Sequence, residues 1–355
     1  GLQIINVSDP TSPTLIRTYD TSGLAHGVSL SADGKTAFVA NYTSGLQIIN
    51  VSDPTSPTLI RTYDTSGLAH GVSLSADGNT AFVADGNDGL DIINVSDPTN
   101  PTLAGTLDTS GLAFDVSLSA DGNTAFVADS TSGLQIIDVS NLANPTLTVT
   151  LDTSGSAEGV SLSADGNTAF VADRDSGLQI INVSNPASPT LTSTLDTSGL
   201  AFDVSLSADG NTAFVADDGT GLQIIDVVDA IANGAASVAT SPTLTGSYDT
   251  SGSAWGVTIS ADGNTAFVAD EARGLQIIDV RDPANPTLAG TYNPLSGNAY
   301  GVTLSADGNT AFVADDGMGL RIIDVRTPAS PILKATYNTS GFAFDVCLSA
   351  DGNTA

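Results

Sequence analysis

Lysine is almost missing from this chain: Lys35 and Lys334 are the only two, and Glu158 and Glu271 are its only glutamates. Basic residues number 9 against 39 acidic ones, a formal charge of −30. A surface this negative repels a phosphate backbone, which removes nucleic acid from the partner classes, and it attracts cations and basic partners. Cys347 is the only cysteine, so an internal disulfide is excluded, and its repeat supplies no histidine or base that would activate the thiol. A buried structural thiol is expected there. No apolar run approaches the roughly 18 residues a spanning helix needs, so this segment inserts no helix into a membrane. No secretory leader is visible in this stretch of sequence. The chain starts at Gly1 inside one repeat and stops at Ala355 inside another, and reads as part of a longer chain.

What is present is repetition. The segment G-L-x-I-I begins at residues 1, 45, 89, 133, 177, 221, 274 and 319. Spacings near 44 residues, with strand-forming composition, point to propeller blades. Four strands fit into one period, taking residues 25–64 as the example. Ala25–Ser31 is the first; Ala32-Asp33-Gly34-Lys35 makes a tight turn into the second, Thr36–Ala40; Leu46–Val51 is the third. A loop with Pro54 and Pro57 leads to the fourth, Thr58–Tyr63. Each run is rich in Val, Ile, Leu, Phe and Thr and is bounded by Gly, Pro, Asp or Asn. Asp-Gly between the first two is a strong hairpin signal. In the first strand Val28 and Leu30 face one way, Gly27, Ser29 and Ser31 the other. A large face against a small one lets neighbouring sheets pack closely.

The expectation is therefore all-β: one domain over residues 1–355, an eight-bladed β-propeller of four-stranded blades. One blade is split between the termini, residues 1–20 giving its third and fourth strands and 343–355 its first and the opening of its second. The F-V-A-D segment of that blade is missing from the sequence, which leaves its first and third strands with open edges.

The recurring G-L-Q-I-I-D-V-S-D-P-x-x-P-T-L, preceded by A-F-V-A-D, resembles the LVIVD repeat of bacterial and archaeal surface proteins. The S-A-D-G-N-T-A-F-V-A-D stretch is also similar to the YVTN class of surface-layer propellers. The resemblance covers essentially the whole chain. It implies an extracellular or cell-surface location and a binding or structural role, and it brings no catalytic residues with it. WD-repeat, sialidase and quinone-dehydrogenase propellers fit less well, since Gly-His and Trp-Asp pairs do not recur, the Asp-box spacing is wrong, and Trp255 is the only tryptophan.

Comparing the eight repeats with one another shows where they differ. The second residue of the first strand is His26, His70, Phe114, Glu158, Phe202, Trp255, Tyr300 or Phe344. The next residue is Gly in five repeats and Asp115, Asp203 or Asp345 in three. The stretch after F-V-A-D also varies, as in Tyr42-Thr43-Ser44, Arg174-Asp175-Ser176 and Glu271-Ala272-Arg273. Propeller geometry opens both stretches on one end of the ring. These residues are expected to form a variable, aromatic and acidic channel mouth, either as a binding site or as a packed plug. His26 and His70 stand in equivalent places of neighbouring repeats and could share a metal, but two further ligands have no evident source. Asp85, Asp129, Asp173, Asp217, Asp270 and Asp315, with Asn41 as the exception, end the second strands. They are candidate calcium ligands or turn caps. The insertion at 228–241 lengthens the Pro loop of one blade.

No nucleophile–base arrangement, phosphate loop or recurrent carboxylate pair stands out. The leading expectation is a non-catalytic secreted or cell-surface module that binds a protein or glycan and serves in scaffolding or adhesion. Two alternatives stay open: an enzyme domain with a metal or cofactor at the channel mouth, and a structural spacer in a large surface protein.

Overall fold

A computed structural model of the 355-residue chain describes residues 2–6, 14–21, 23–53, 56–228, 242–293, 297–316, 319–337, 343–348 and 355. Residues 229–241 of the insertion at 228–241 and much of the C-terminal repeat lie outside the described residues.

Each repeat folds on itself because its strands are short and joined by turns that fix the pairing. In the first complete blade β3 (Gly27–Leu30), β4 (Thr36–Ala40), β5 (Leu46–Asn50) and β6 (Thr58–Tyr63) pair antiparallel in sequence order. The β3–β4 turn is held by its own side chains. The Ser31 hydroxyl donates to Asp33 at 2.7 Å, the Lys35 N–H donates to Asp33 at 3.1 Å, and Gly34 takes the positive φ of 66° the turn needs. The same arrangement recurs at Asp77, Asp121, Asp165, Asp209, Asp262 and Asp307, so much of the acidic charge serves turns. The Gly of G-L-x-I-I is equally constrained: Gly133 has φ +72°, and a Cβ there would lie 2.3 Å from the Leu151 carbonyl.

One feature of the sheets has no signature in the repeat. Between the third and fourth strands the register slips at every blade, so that Ile48 faces Arg61 while Ile49 faces Leu59. Ile60 is the extra residue of a β-bulge, which bends and twists the outermost strand.

Seven such four-stranded sheets follow one another, the last ending at Tyr337. Their first strands contact each other in succession and so lie nearest the axis. The expected count of eight blades is corrected to seven. In the eighth place β1 (Leu2–Asn6) and β2 (Thr14–Tyr19) form a two-stranded sheet, and residues 343–348 belong to no strand. The reason is the missing F-V-A-D segment: the strand that would hydrogen-bond both β1 and 343–348 is not in the sequence. The two halves nevertheless share one place in the ring. Leu2, Ile4 and Tyr19 pack on the first blade, while Val346, Leu348 and Ala355 pack on Phe312, Leu320 and Ile322 of the seventh.

The core is the set of layers between blades. Phe82, Ala84, Leu90 and Ile92 of the second blade bury against Ala113, Val116, Ala125, Val127, Ile137 and Val139 of the third, and the same meeting of faces recurs around the ring. Near the axis the approach is closer still. A Cβ on Gly27 would lie 2.7 Å from the His70 carbonyl, and one on Gly256 2.6 Å from the Tyr300 carbonyl. In the five blades with Gly there, the small face expected of the first strand lets neighbouring inner strands meet this closely, while three blades carry Asp115, Asp203 or Asp345 at the same position.

Phe126 is 1% exposed and fills the layer between the third and fourth blades. Replacing it with Ala should cost about 3–5 kcal/mol. Denaturant unfolding should show a lower midpoint; a loss under about 1 kcal/mol would mean that the layers are not the seat of stability.

Candidate functional site at the channel mouth

The mouth is built by backbone bonds that tie each blade to the next. The residue after the buried Asp or Asn turns into the left-handed region, with φ of 48° at Tyr42, 38° at Arg174 and 35° at Glu271. There it exchanges hydrogen bonds with the alanine that precedes the next blade's variable residue. Tyr42 N–H donates to the Ala69 carbonyl at 3.0 Å and Ala69 N–H to the Tyr42 carbonyl at 3.1 Å. Arg174 with Ala201 and Glu271 with Ala299 repeat this bridge. Each variable loop residue is thereby set beside the variable first-strand residue of the next blade.

The structure brings the eight first-strand positions together as a collar. Ring centroids step from Phe114 to His70 at 5.0 Å, to His26 at 5.1 Å, to Phe344 at 5.1 Å and to Tyr300 at 5.2 Å. They continue to Trp255 at 5.3 Å and Phe202 at 4.1 Å. Arg174 lies over Phe202 at 5.4 Å and reaches Glu158 at 3.4 Å, carrying the collar on to its eighth member. Tyr42 adds a further ring, 5.3 Å from His26 and 5.5 Å from His70. The contact of His26 with Phe344 joins the two ends of the chain. All eight collar residues are half-buried.

Within this collar the histidines behave as neutral rings. Burial lowers both pKa values, and for His70 burial and then His26 bring it down to about 4. His26 and His70 thus lie in a stack of aromatics, and among the described residues no group of three or more His, Cys, Asp or Glu could hold a metal ion. Glu158 is raised by burial, which the Arg174 charge opposes. Trp255 Nε1 and Arg174 Nε are buried and have no acceptor among the described residues.

One residue further in stand Asp115, Asp203 and Asp345. Each carboxylate spans two blades: Asp115 accepts from Val116 N–H at 2.8 Å and from Val160 N–H of the next blade at 3.1 Å. Asp203 does the same with Val204 at 2.8 Å and Val257 at 3.1 Å, and Asp345 with Val346 at 2.8 Å and with Val28. A Gly of the preceding blade faces two of these carboxylates: a Cβ on Gly71 would lie 3.5 Å from Asp115 Oδ1, and one on Gly301 3.4 Å from Asp345 Oδ1. Asp115 and Asp203 are half-buried and Asp345 is exposed, although protein surrounds all three carboxylates. Burial first, and then the other channel aspartates, push Asp203 up to about 6; burial also raises Asp115 and Asp345. Beside them the Cys347 thiol is pushed up to about 12 by burial and by Asp345, in keeping with an inert structural thiol.

The aspartates that end the second strands do something else. Asp129, Asp173 and Asp270 are fully buried, and each accepts a threonine hydroxyl from the segment leading out of the preceding blade: Thr109 at 2.6 Å, Thr153 at 2.6 Å and Thr250 at 2.7 Å. Asp85 takes Thr65 and, at 2.9 Å, the Gly67 N–H. Asp315 pairs with Arg321, and Asp217 is buried in the equivalent place. Each lies in a different blade, so the six do not converge on one ion; Asp85, Asp129, Asp173 and Asp270 latch one blade to the next. Asn41 fills the same role, accepting from Thr21 at 2.8 Å and donating to its carbonyl at 2.6 Å.

Sequence reasoning named the variable loops but did not single out Tyr42 and Arg174 as collar members. The signal was their place directly after the F-V-A-D or F-V-A-N segment. What it did not reveal was that a positive φ there turns the side chain toward the next blade.

The LVIVD repeat model matches residues 1–21, 22–65, 66–109, 110–153, 154–197, 198–250, 251–294 and 296–339. No curated protein matches the sequence. Among solved structures, the C-terminal WD40 domain of Sif2 is 16% identical with a TM-score of 0.70, over 93% of this chain and 92% of that one. Chaetomium thermophilum Sqt1 bound to the N-terminus of the ribosomal protein L10 is 12% identical with a TM-score of 0.71, over 89% and 88%. A periplasmic gluconolactonase of Pseudomonas aeruginosa is 17% identical with a TM-score of 0.64, over 85% and 94%. At these identities the likeness is one of fold.

Burial pushes Asp85, Asp173 and Asp270 up to about 7 and Asp129 up to about 6, so the folded state binds protons that the unfolded chain releases near pH 4. Their contribution is complete below about pH 4 and is lost as pH rises through about 7. The turn carboxylates act the other way: hydrogen bonds from Ser75 and Asn79 hold Asp77 at about 2, so that stability falls only as pH drops through that range. The melting temperature should therefore fall by about 5 °C or more between pH 5 and pH 8. Asp→Asn at 85, 129, 173 and 270 together should flatten that slope, as Asn41 already permits in the first blade. A melting temperature that rises toward pH 8 would refute the latch. Seven four-stranded blades, a two-stranded eighth place and a repeat model matched along nearly the whole sequence agree: this chain is a β-propeller of the LVIVD repeat family.

Proposed function

We propose that this propeller is a non-catalytic binding or scaffolding module of the cell surface or the extracellular space, and that it engages a protein or glycan through its channel mouth. The observation that carries this reading is the collar. Blades that are otherwise near copies differ where their side chains meet at one mouth. Shared positions serve the shared fold; a set of unlike residues gathered at one opening is what recognition of a particular ligand requires. Aromatic faces there can stack on sugar rings or apolar groups. The buried Trp255 Nε1 and Arg174 Nε lack acceptors among the described residues, and a bound polar group would supply them. Sqt1, a neighbour in fold, is bound to the N-terminus of another protein. Among the mouth's titratable groups, Glu158 is engaged by Arg174 and the two histidines stand in ring stacks.

The test replaces Phe114, Trp255 and Tyr300 with Ala, singly and together, and follows both melting and capture of arrayed glycans and immobilised peptides. Capture by the native protein that falls at least about tenfold in the triple variant, with a melting temperature within about 3 °C, is the expected result. A steep loss of stability with no ligand captured by the native protein would make the collar a packed plug and refute the reading.

A further inference from the structure

Two independent features of the mouth bear on its ligand. The first is the neutrality of the collar. Its rings are uncharged, since His26 and His70 stay neutral, and its single cation, Arg174, is paired with Glu158. The second is the tier of three carboxylates one residue further in, each ionisable and held in place by two backbone N–H groups. The faces of aromatic rings carry negative potential, and so do the carboxylates behind them. Nothing else in the collar offsets that potential, and the chain as a whole carries −30.

We infer that the mouth binds an organic ammonium group, seated against Trp255, Tyr300 and Phe344 with Asp203 and Asp345 behind it. The inference rests on the mouth being a binding site and adds the class of ligand. Eight stations about 5 Å apart set opposite ring centroids roughly 13 Å apart, so a cation on the axis stands near the limit of about 6 Å for attraction to a ring face and gains by moving to one wall. Arg174 lies over Phe202 at 5.4 Å, and the wall that seats the ammonium begins at the next ring, Trp255, stacked at 4.1 Å from Phe202. The wall runs from Trp255 through Tyr300 to Phe344, with contacts of 5.3 and 5.2 Å, and contains the tryptophan, the best ring type for a cation. Asp203 reaches this wall through its bond to Val257, two residues beyond Trp255 in the chain, and Asp345 directly follows Phe344. The indole Nε1, buried without an acceptor among the described residues, is left to meet an oxygen on the same ligand. An alkylated or primary ammonium on an apolar stem suits such a wall better than a hydrated inorganic ion, because its carbon atoms can bury against the rings.

Trp255 is the only tryptophan, so its emission reports on this wall alone. The intact chain is titrated at constant ionic strength with choline, with its uncharged isostere 3,3-dimethyl-1-butanol, with a lysine-containing peptide and with calcium chloride. Choline should change the emission saturably, with the neutral isostere at least about tenfold weaker, and D203N and D345N should each weaken choline at least about threefold. Comparable binding of the lysine peptide assigns the group to a protein side chain, and its failure beside choline assigns it to a small molecule; both support the inference. If the isostere binds as well as choline, or calcium reproduces the change, the ammonium inference is overturned while the mouth remains a binding site. Choline without effect, beside a glycan or peptide capture that W255A abolishes, overturns it in the same way. If no probe binds and nothing is captured, both readings fall together. Should D203N or D345N unfold, the comparison of choline with its isostere on the native protein decides between binding of the charge and binding of the shape.

Discussion

Everything in this molecule depends on one kind of contact, the burial of one blade's Phe-Leu-Ile face against the next blade's Ala-Val-Ile face. A four-stranded sheet of this size cannot bury either face alone, so each blade is stable only between two neighbours. The ring supplies neighbours to all seven complete blades. It also explains the eighth place, where two unequal pieces of chain are held less by pairing with each other than by the apolar faces on either side. Leu2 and Ile4 find the first blade and Val346 and Leu348 the seventh because those faces would otherwise be exposed.

Close packing near the axis decides what the channel can contain. Where successive inner strands approach within reach of each other's carbonyls, the position is Gly in five blades and Asp in three, with a Gly in both blades that flank each Asp, so variation there is narrow. The variable residues are therefore confined to the mouth and to the single position below it, where an Asp in one blade is matched by Gly in the next. The same constraint converts free N–H groups of the inner strand edges into carboxylate partners, so that Asp115, Asp203 and Asp345 join blades while facing the channel. One set of residues thus serves cohesion and gives the mouth its electrostatic character.

The buried aspartates after F-V-A show how the same residue type takes opposite characters by position. In the Asp-Gly turns, donors surround an exposed carboxylate and favour its charge. At the blade junctions burial outweighs the threonine and amide donors and disfavours it. Composition alone reads both as acid. Arg321 in place of the usual Gln marks the one junction where a buried guanidinium meets the aspartate instead.

By itself the sequence determined the period, the strand positions, the Asp-Gly turns and the face on which repeats differ. These follow from local rules, namely alternation, turn chemistry and self-comparison, which need no knowledge of what touches what. The observed β4, β5 and β6 lie within a residue of expectation, and β3 starts at Gly27 instead of Ala25, because His26 bonds to the end of β4 without extending the ladder. Tertiary structure alone decided the count of seven, since a repeat whose middle strand is missing has no partner for the strands on either side. It decided the bulge at Ile60, which depends on the twist between strands rather than on residue type. It also decided that Asp85 and its counterparts are latches, because their threonine partners come from the preceding blade. The collar needed both. Variability named its residues, and the left-handed loop residues, bridged by hydrogen bonds to the next blade, set Arg174 over Phe202 and so linked that ring to Glu158.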